Sequence, residues 1–324
     1  GGGGGGGVGA GAGGFGGGGG GGGWGGGGGF GGGGGGAASV GGVVGSGGFG
    51  GGDGAGGDGV SGVCGGGGGL GAGGAIFVQQ GATITISGTS NISGGSVTGG
   101  AAGSSAWDGS AYGSGIFLQG DQVLTFAPAY GCTTTIFDAI ADQSGSGGTG
   151  TGRLVMSGEG TLILAATNSF TGGLTLEGGR VELVAAGAAG SGAVTFASGR
   201  SATLEFSAAS APTAIGGFDA DDTFVYDGTA TSLRFTGGTL HFLNGSTDVA
   251  DLVLTGTYTT QNFVLSQNGT SVTVSYAVDR TGPTLAITTT GGTTTNRTLT
   301  VAGTIDVADA GRTISLFAGT TALG

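Results

Sequence analysis

The stretch Gly158-Glu159-Gly160-Thr161-Leu162-Ile163-Leu164-Ala165-Ala166-Thr167-Asn168-Ser169-Phe170-Thr171-Gly172-Gly173-Leu174-Thr175-Leu176-Glu177-Gly178-Gly179-Arg180-Val181-Glu182-Leu183 decides the fold. It holds three short runs of alternating character: Thr161-Leu162-Ile163-Leu164, Leu174-Thr175-Leu176 and Arg180-Val181-Glu182-Leu183. Alternation with a period of two marks strands with one buried face and one wet face. Each run is bounded by glycine or by the Asn168-Ser169 corner, residue types that tolerate left-handed backbone angles. Three strands and three corners within about 25 residues make one coil of a β-solenoid. A single coil cannot bury its apolar side alone, so it needs coils above and below it. The inward positions are predicted to include Leu162, Leu164, Leu174, Leu176, Val181 and Leu183.

A known pattern runs through the same residues: G-x-G-T-L-x-L, an Asn-x-aromatic-Thr-Gly corner, then strand, glycine, strand. It is met by Gly158, Gly160, Thr161, Leu162, Leu164, Asn168, Phe170, Thr171, Gly172, Leu174, Leu176, Gly179, Val181 and Leu183. Residues 158–183 thereby resemble the passenger-associated transport repeat of bacterial autotransporters. The resemblance implies a right-handed parallel β-helix on a secreted bacterial surface protein. The phrase Ile136-Phe137-Asp138-Ala139-Ile140-Ala141-Asp142-Gln143 is similar to that family's lead-in, which extends the likeness over roughly residues 70–200.

Composition bounds the partners. The chain has 324 residues and a net charge of −12, with seven basic residues, all arginine. Nucleic acid and anionic membrane surfaces both select basic stripes, so neither is expected as a partner. No apolar run reaches the roughly 18 residues of a membrane helix. Cys64 and Cys132 fit no metal spacing; in an oxidising compartment they could pair. The chain starts within a glycine run and stops at Gly324 within another pattern, so it is expected to be part of a longer one. The missing C-terminal part would then anchor or export it.

The glycine is uneven: 51 of 93 lie in residues 1–74. The plainer reading of this low-complexity segment is an unordered chain, because ordering glycine costs the most backbone entropy and few side chains are there to bury. A sharper reading is packed polyglycine strands of polyproline-II type, with three residues per turn. Phe15, Trp24 and Phe30, separated by multiples of three, would then share a face.

From Ala75 the composition shifts to short strands at glycine corners. Residues 73–87 and 113–127 repeat one another about 40 residues apart, a solenoid-like period. Residues 75–217 are therefore assigned to a parallel β-solenoid. In residues 218–278 the dipeptides Asp227-Gly228, Gly237-Gly238, Asn244-Gly245 and Asn268-Gly269 each separate two β-prone runs, which predicts antiparallel hairpins. Such a cap would cover the unpaired last rung. After the linker Asp279-Arg280-Thr281-Gly282-Pro283, residues 279–324 resemble the start of a bacterial immunoglobulin-like adhesin repeat. The likeness rests on Pro283-Thr284-Leu285-Ala286-Ile287, Val301-Ala302-Gly303-Thr304, Asp306, Ala308-Asp309-Ala310-Gly311 and Gly319-Thr320-Thr321-Ala322. The fold expected is all-β throughout.

Candidate chemistry is sparse, and no catalytic, cofactor-binding or metal site is assigned; the chain is expected not to be an enzyme and to need no cofactor. The single histidine, His241, alternates with Leu240 and Phe242 and reads as an outward strand residue. A phosphate-binding loop would require a lysine that the chain lacks. Asp219, Asp221 and Asp222 form the densest acid cluster, the only plausible acids for a carbohydrate-active solenoid enzyme. Residues 51–60 loosely follow the calcium nonapeptide pattern, but Gly56 sits where an aspartate belongs and Asp58 is displaced. Asp279, Asp306 and Asp309 are three carboxylates where calcium takes six to eight oxygens. The favoured function is a structural or adhesive passenger segment, a rigid stalk or display region meeting host-cell, carbohydrate or abiotic surfaces. The alternatives are the carbohydrate-active enzyme and a calcium-dependent extracellular binding module.

Overall fold

The computed structural model describes residues 9–57 and 64–277, together with two short antiparallel strand pairs, Ala286–Ile287 with Gly303–Thr304 and Phe317–Ala318 with Thr321–Ala322. Asp58, Asp279, Asp306 and Asp309 lie outside the described residues, as does the immunoglobulin-like expectation apart from these two pairs.

Residues 71–226 form a parallel β-solenoid. Each rung supplies one strand to each of two long sheets. On the first face the stack runs Ile84–Ser87, Gln122–Ala127, Gly152–Met156, Leu174–Leu176, Val194–Phe196 and Ile215–Gly216. On the second it runs Ser90–Ile92, Thr133–Ile136, Thr161–Leu164, Gly179–Leu183, Ala202–Phe206 and Thr223–Tyr226. A third, shorter face stacks Ile76–Val78, Ile116–Leu118 and Ile140–Asp142.

The register stacks inward residues in columns, apolar except for the buried Thr134. Leu124, Leu154, Leu174, Val194 and Ile215 align down the first face; Thr134, Leu162, Val181, Leu204 and Phe224 align down the second. Alternate residues point inward, so these columns and the next inward ones meet in a single core. Leu162, Leu164, Leu174, Leu176, Val181 and Leu183 are all buried there, as the alternation predicts. Among the described residues the only helical turns are two 3-10 turns, Ser144–Ser146 and Thr260–Asn262.

The end of the stack corrects one expectation. Thr223–Tyr226, expected within the antiparallel part, is a further parallel strand on Ala202–Phe206. Asp227-Gly228 therefore closes no hairpin. The other three dipeptides do: Ser232–Thr236, Thr239–Asn244 and Thr247–Thr255 form one meander, and Phe263–Asn268 with Ser271–Tyr276 forms a second hairpin. The meander joins the stack in parallel, Ile215 opposite Leu254, whereas Ser271–Tyr276 pairs antiparallel with Thr223–Tyr226. Both long sheets thus end in hairpins rather than in a bare solenoid rung.

The glycine-rich segment is ordered over residues 9–57, against the plainer sequence reading. Its hydrogen bonds step by three: Gly13, Gly16, Gly19 and Gly22 donate to Gly27, Phe30, Gly33 and Gly36. Likewise Gly25, Gly28, Gly31, Gly34 and Ala37 donate to Val43, Ser46, Phe49, Gly52 and Ala55. Gly26 and Gly29 donate to Gly20 and Gly17, an antiparallel neighbour with the same step. Three residues per turn is the polyproline-II period; that helix has no internal hydrogen bonds, so its N–H groups can all bond sideways. Side chains are excluded because the runs pack backbone on backbone. A Cβ built on Gly34 would fall onto the carbonyl of Gly45, and one on Gly19 onto that of Gly26. The loop between the first two rungs joins this bundle, Gly100 donating to Gly69 and Gly103 to Gly66.

Aromatic rings fasten the bundle to the third solenoid face. Phe15 stacks on Phe30 at 5.1 Å and Phe30 on Phe49 at 5.2 Å. Phe49 reaches Phe117 at 6.0 Å, and Phe117 stacks on Phe77 at 5.6 Å. Phe15 and Phe30 share a face as their spacing suggests, whereas Trp24 is 54% exposed and takes no part in the column.

Candidate functional site

The central rungs are built around the corner Asn168–Gly172. Asn168 is buried and spans three rungs. Its Oδ1 accepts the Ile140 N–H at 2.7 Å from the rung before, and its Nδ2 donates to the Ala188 carbonyl at 2.6 Å in the rung after. A carboxamide carries its acceptor and its donors on separate atoms, so one neutral side chain serves both neighbours at once. Phe170 points into the core with no exposed surface. Thr171 donates both its backbone N–H and its hydroxyl to Asp142 Oδ2, each at 2.7 Å.

Asp142 is the hub of this corner. It is fully buried, and its two oxygens also accept the backbone N–H groups of Gly145 and Gly152. Four donors on one carboxylate compensate its removal from water. Gly172 and Gly173 then let the chain turn tightly: a Cβ on Gly172 would approach the Gly152 backbone, and Gly173 has a φ of +81°. The motif residues are therefore the groups that fix one rung on its neighbours. Asp142 is the participant that the strand pattern alone does not reveal, because it lies 26 residues before Asn168 and is met only in the fold.

A comparison with protein families matches residues 154–183 to the passenger-associated-transport-repeat, the rung and corner just described. Over these residues the chain is similar to autotransporter passengers, a repeat family of secreted or cell-surface bacterial proteins. No curated protein and no solved structure gives a significant match.

The acids singled out in the sequence do come together, as a turn. Asp222 is 1% exposed; its oxygens accept the N–H groups of Asp219 and Ala202, while Asp219 Oδ1 accepts that of Asp221. Burial pushes the Asp222 pKa up to about 7, although the two N–H donors favour the charged form and oppose the shift. With both oxygens held by backbone, Asp222 works as a cap on the bend between rungs. It does not face a second carboxylate across an open groove, as glycoside hydrolysis requires.

Another acid pair is one the sequence did not single out. Glu182 and Glu205 lie in register on adjacent rungs of an outer face, with Asp227 beside them, and Arg180 pairs with Glu205. Asp53 accepts the Gly47 N–H and so braces the polyglycine bundle. Cys132 carries an unbridged thiol. His241 faces outward as expected, but in company: Asp251 lies opposite it and Asp248 close by.

Proposed function

We propose that this chain is a non-enzymatic passenger segment of a secreted bacterial outer-membrane surface protein, serving as a stiff stalk or display region in adhesion. One observation carries the reading: the transport repeat is an ordinary rung in an unbroken stack, tied to both neighbours through Asn168, Thr171 and Asp142. A rod of this kind resists bending because each rung is hydrogen-bonded to the next along two long sheets. Each rung that folds also buries apolar area against the last, which favours drawing an emerging chain outward. The anchor and export element would lie in a further C-terminal part. Host-cell, carbohydrate and abiotic surfaces are the partners this role calls for.

The test is display of the chain, fused to an unrelated outer-membrane anchor, on a non-adherent bacterium. Attachment to cultured cells, immobilised polysaccharide and plastic is then counted. Attachment above the anchor-only strain is expected. No gain over the anchor-only strain on any of the three surfaces, together with polysaccharide cleavage lost in Asp221→Ala, would replace this reading with the enzymatic one.

A further inference from the structure

The outer face of the meander carries a cluster that its own strand alternation would not produce. Arg234, His241 and Asp251 lie opposite one another across three adjacent strands. Along Thr247–Thr255, the residues Ala250, Leu252 and Leu254 are buried and Asp251 is exposed. Alternation would therefore turn Asp248 toward the core. A β-bulge prevents this: after Phe242 opposite Ala250, the register slips so that Leu243 faces Asp248. The extra residue, Val249, packs against the core, and Asp248 swings to the exposed face. Bulges of this kind re-aim side chains and are kept for that purpose. Here the result is a second carboxylate beside the chain's single histidine.

The donor atoms converge. His241 Nδ1 lies 2.8 Å from Asp251 Oδ1 and 3.7 Å from Asp248 Oδ2, and the three ligand atoms all fall within 4.8 Å of one another. A zinc-type ion binds nitrogen and oxygen at about 2.0–2.2 Å, which sets neighbouring ligands about 3–3.5 Å apart. The observed separations bracket that spacing, and both carboxylates are exposed enough to adjust. Imidazole among the donors selects against calcium and magnesium, which take oxygen shells. Two negative charges suit a divalent cation, and the open outer side leaves room for water to complete the shell.

We propose that His241, Asp248 and Asp251 form a binding site for a divalent transition-metal ion of the zinc class. Arg234 Nη2 holds Asp248 at 3.3 Å and His241 holds Asp251 through Nδ1. The ion replaces both contacts and joins the middle strand of the meander to the strand that enters the solenoid stack. Arg234 is thus a competitor for Asp248.

The test is calorimetric titration of zinc chloride into the full chain, with thermal unfolding followed in parallel. One ion per chain is expected, with a rise in Tm because the ion binds only the folded arrangement. H241Q and D251N should each weaken binding at least about tenfold, equal to about 1.4 kcal/mol. R234A should strengthen it, since Asp248 is released. All three positions are on the outer face, and an unchanged β-sheet circular dichroism spectrum verifies the fold of each variant. Absence of zinc binding, zinc affinity unchanged in H241Q, or calcium binding as tight as zinc would each overturn the proposal.

Discussion

Asn168 shows how a single side chain can define a repeat. A strand needs an apolar residue of about the right size, and many serve. The corner needs one group that accepts from Ile140 and donates to Ala188 at once. Asn168→Ala leaves a buried N–H and a buried carbonyl without partners, at about 1–3 kcal/mol for each group. Urea unfolding should show the loss as a lower midpoint with the same slope. Leu176→Ala, at a position with no exposed surface, should cost about 2–5 kcal/mol through lost transfer energy and a cavity. Asp222 gives a residue-level effect that depends on pH. Its folded pKa of about 7 lies above the ordinary 3.8. Below that ordinary value both folded and unfolded chains hold the proton. Between the two values the unfolded chain has released it and the folded chain has not, so each rise in pH favours unfolding. Above the folded value both are ionised and the effect is constant. The stabilisation from Asp222 should therefore be present in acid and lost as pH rises toward 7, and Asp222→Asn should remove that slope. A slope unchanged in Asp222→Asn would assign it to other groups.

At the level of elements, the solenoid strands were legible and the glycine bundle was only half so. Thr161–Leu164, Leu174–Leu176 and Gly179–Leu183 can be read from alternation because each has one wet face. Thr223–Tyr226 alternates equally well, but alternation is silent on which neighbour a strand will take. The nearby Asp227-Gly228 suggested a hairpin, whereas the stack supplied a parallel partner. Ile215–Gly216 is too short to leave a pattern at all. In residues 9–57 the determining information is the absence of side chains, which reads as disorder unless neighbouring runs are known to exist. Within the packed runs glycine is required for space, as at Gly19 and Gly34, whereas at turns such as Gly16 and Gly41 it is required for the left-handed backbone angle. Gly34→Val should accordingly lower the melting temperature of the whole chain, because the added atoms meet the Gly45 backbone, which has nowhere to move. A variant lacking residues 1–57 should also melt lower, since Phe77 and Phe117 lose the ring column that covers them. An unchanged melting temperature in both variants would mean that the bundle is an independent unit with no hold on the solenoid.

Over the whole molecule, the two ends of the rod are finished differently. At the last rung, hairpins cover both long sheets and bury Leu240, Phe242, Leu252, Val272 and Val274 in the same core. At the first rung, Ile84–Ser87 and Ser90–Ile92 are the terminal strands of the two sheets, and Ile84, Ile86 and Ile92 remain partly exposed. Their equivalents one rung on, Leu124, Phe126 and Ile136, are fully covered. The glycine bundle supports the third face of this end and leaves the two long sheets with open edges. In a stack where each rung contacts only its neighbours, stability is close to a sum of rung and interface contributions. A rung with one interface must then open more often than a rung with two. Native-state hydrogen exchange should show this as a gradient along the chain. Amides of Thr161–Leu164 and Gly179–Leu183 should exchange near the rate of global unfolding, and those of Ile84–Ser87 and Ser90–Ile92 well before it. Protection at the first rung equal to that of the central rungs would show that the molecule opens as a single unit and that the nearest-neighbour account of the rod is wrong.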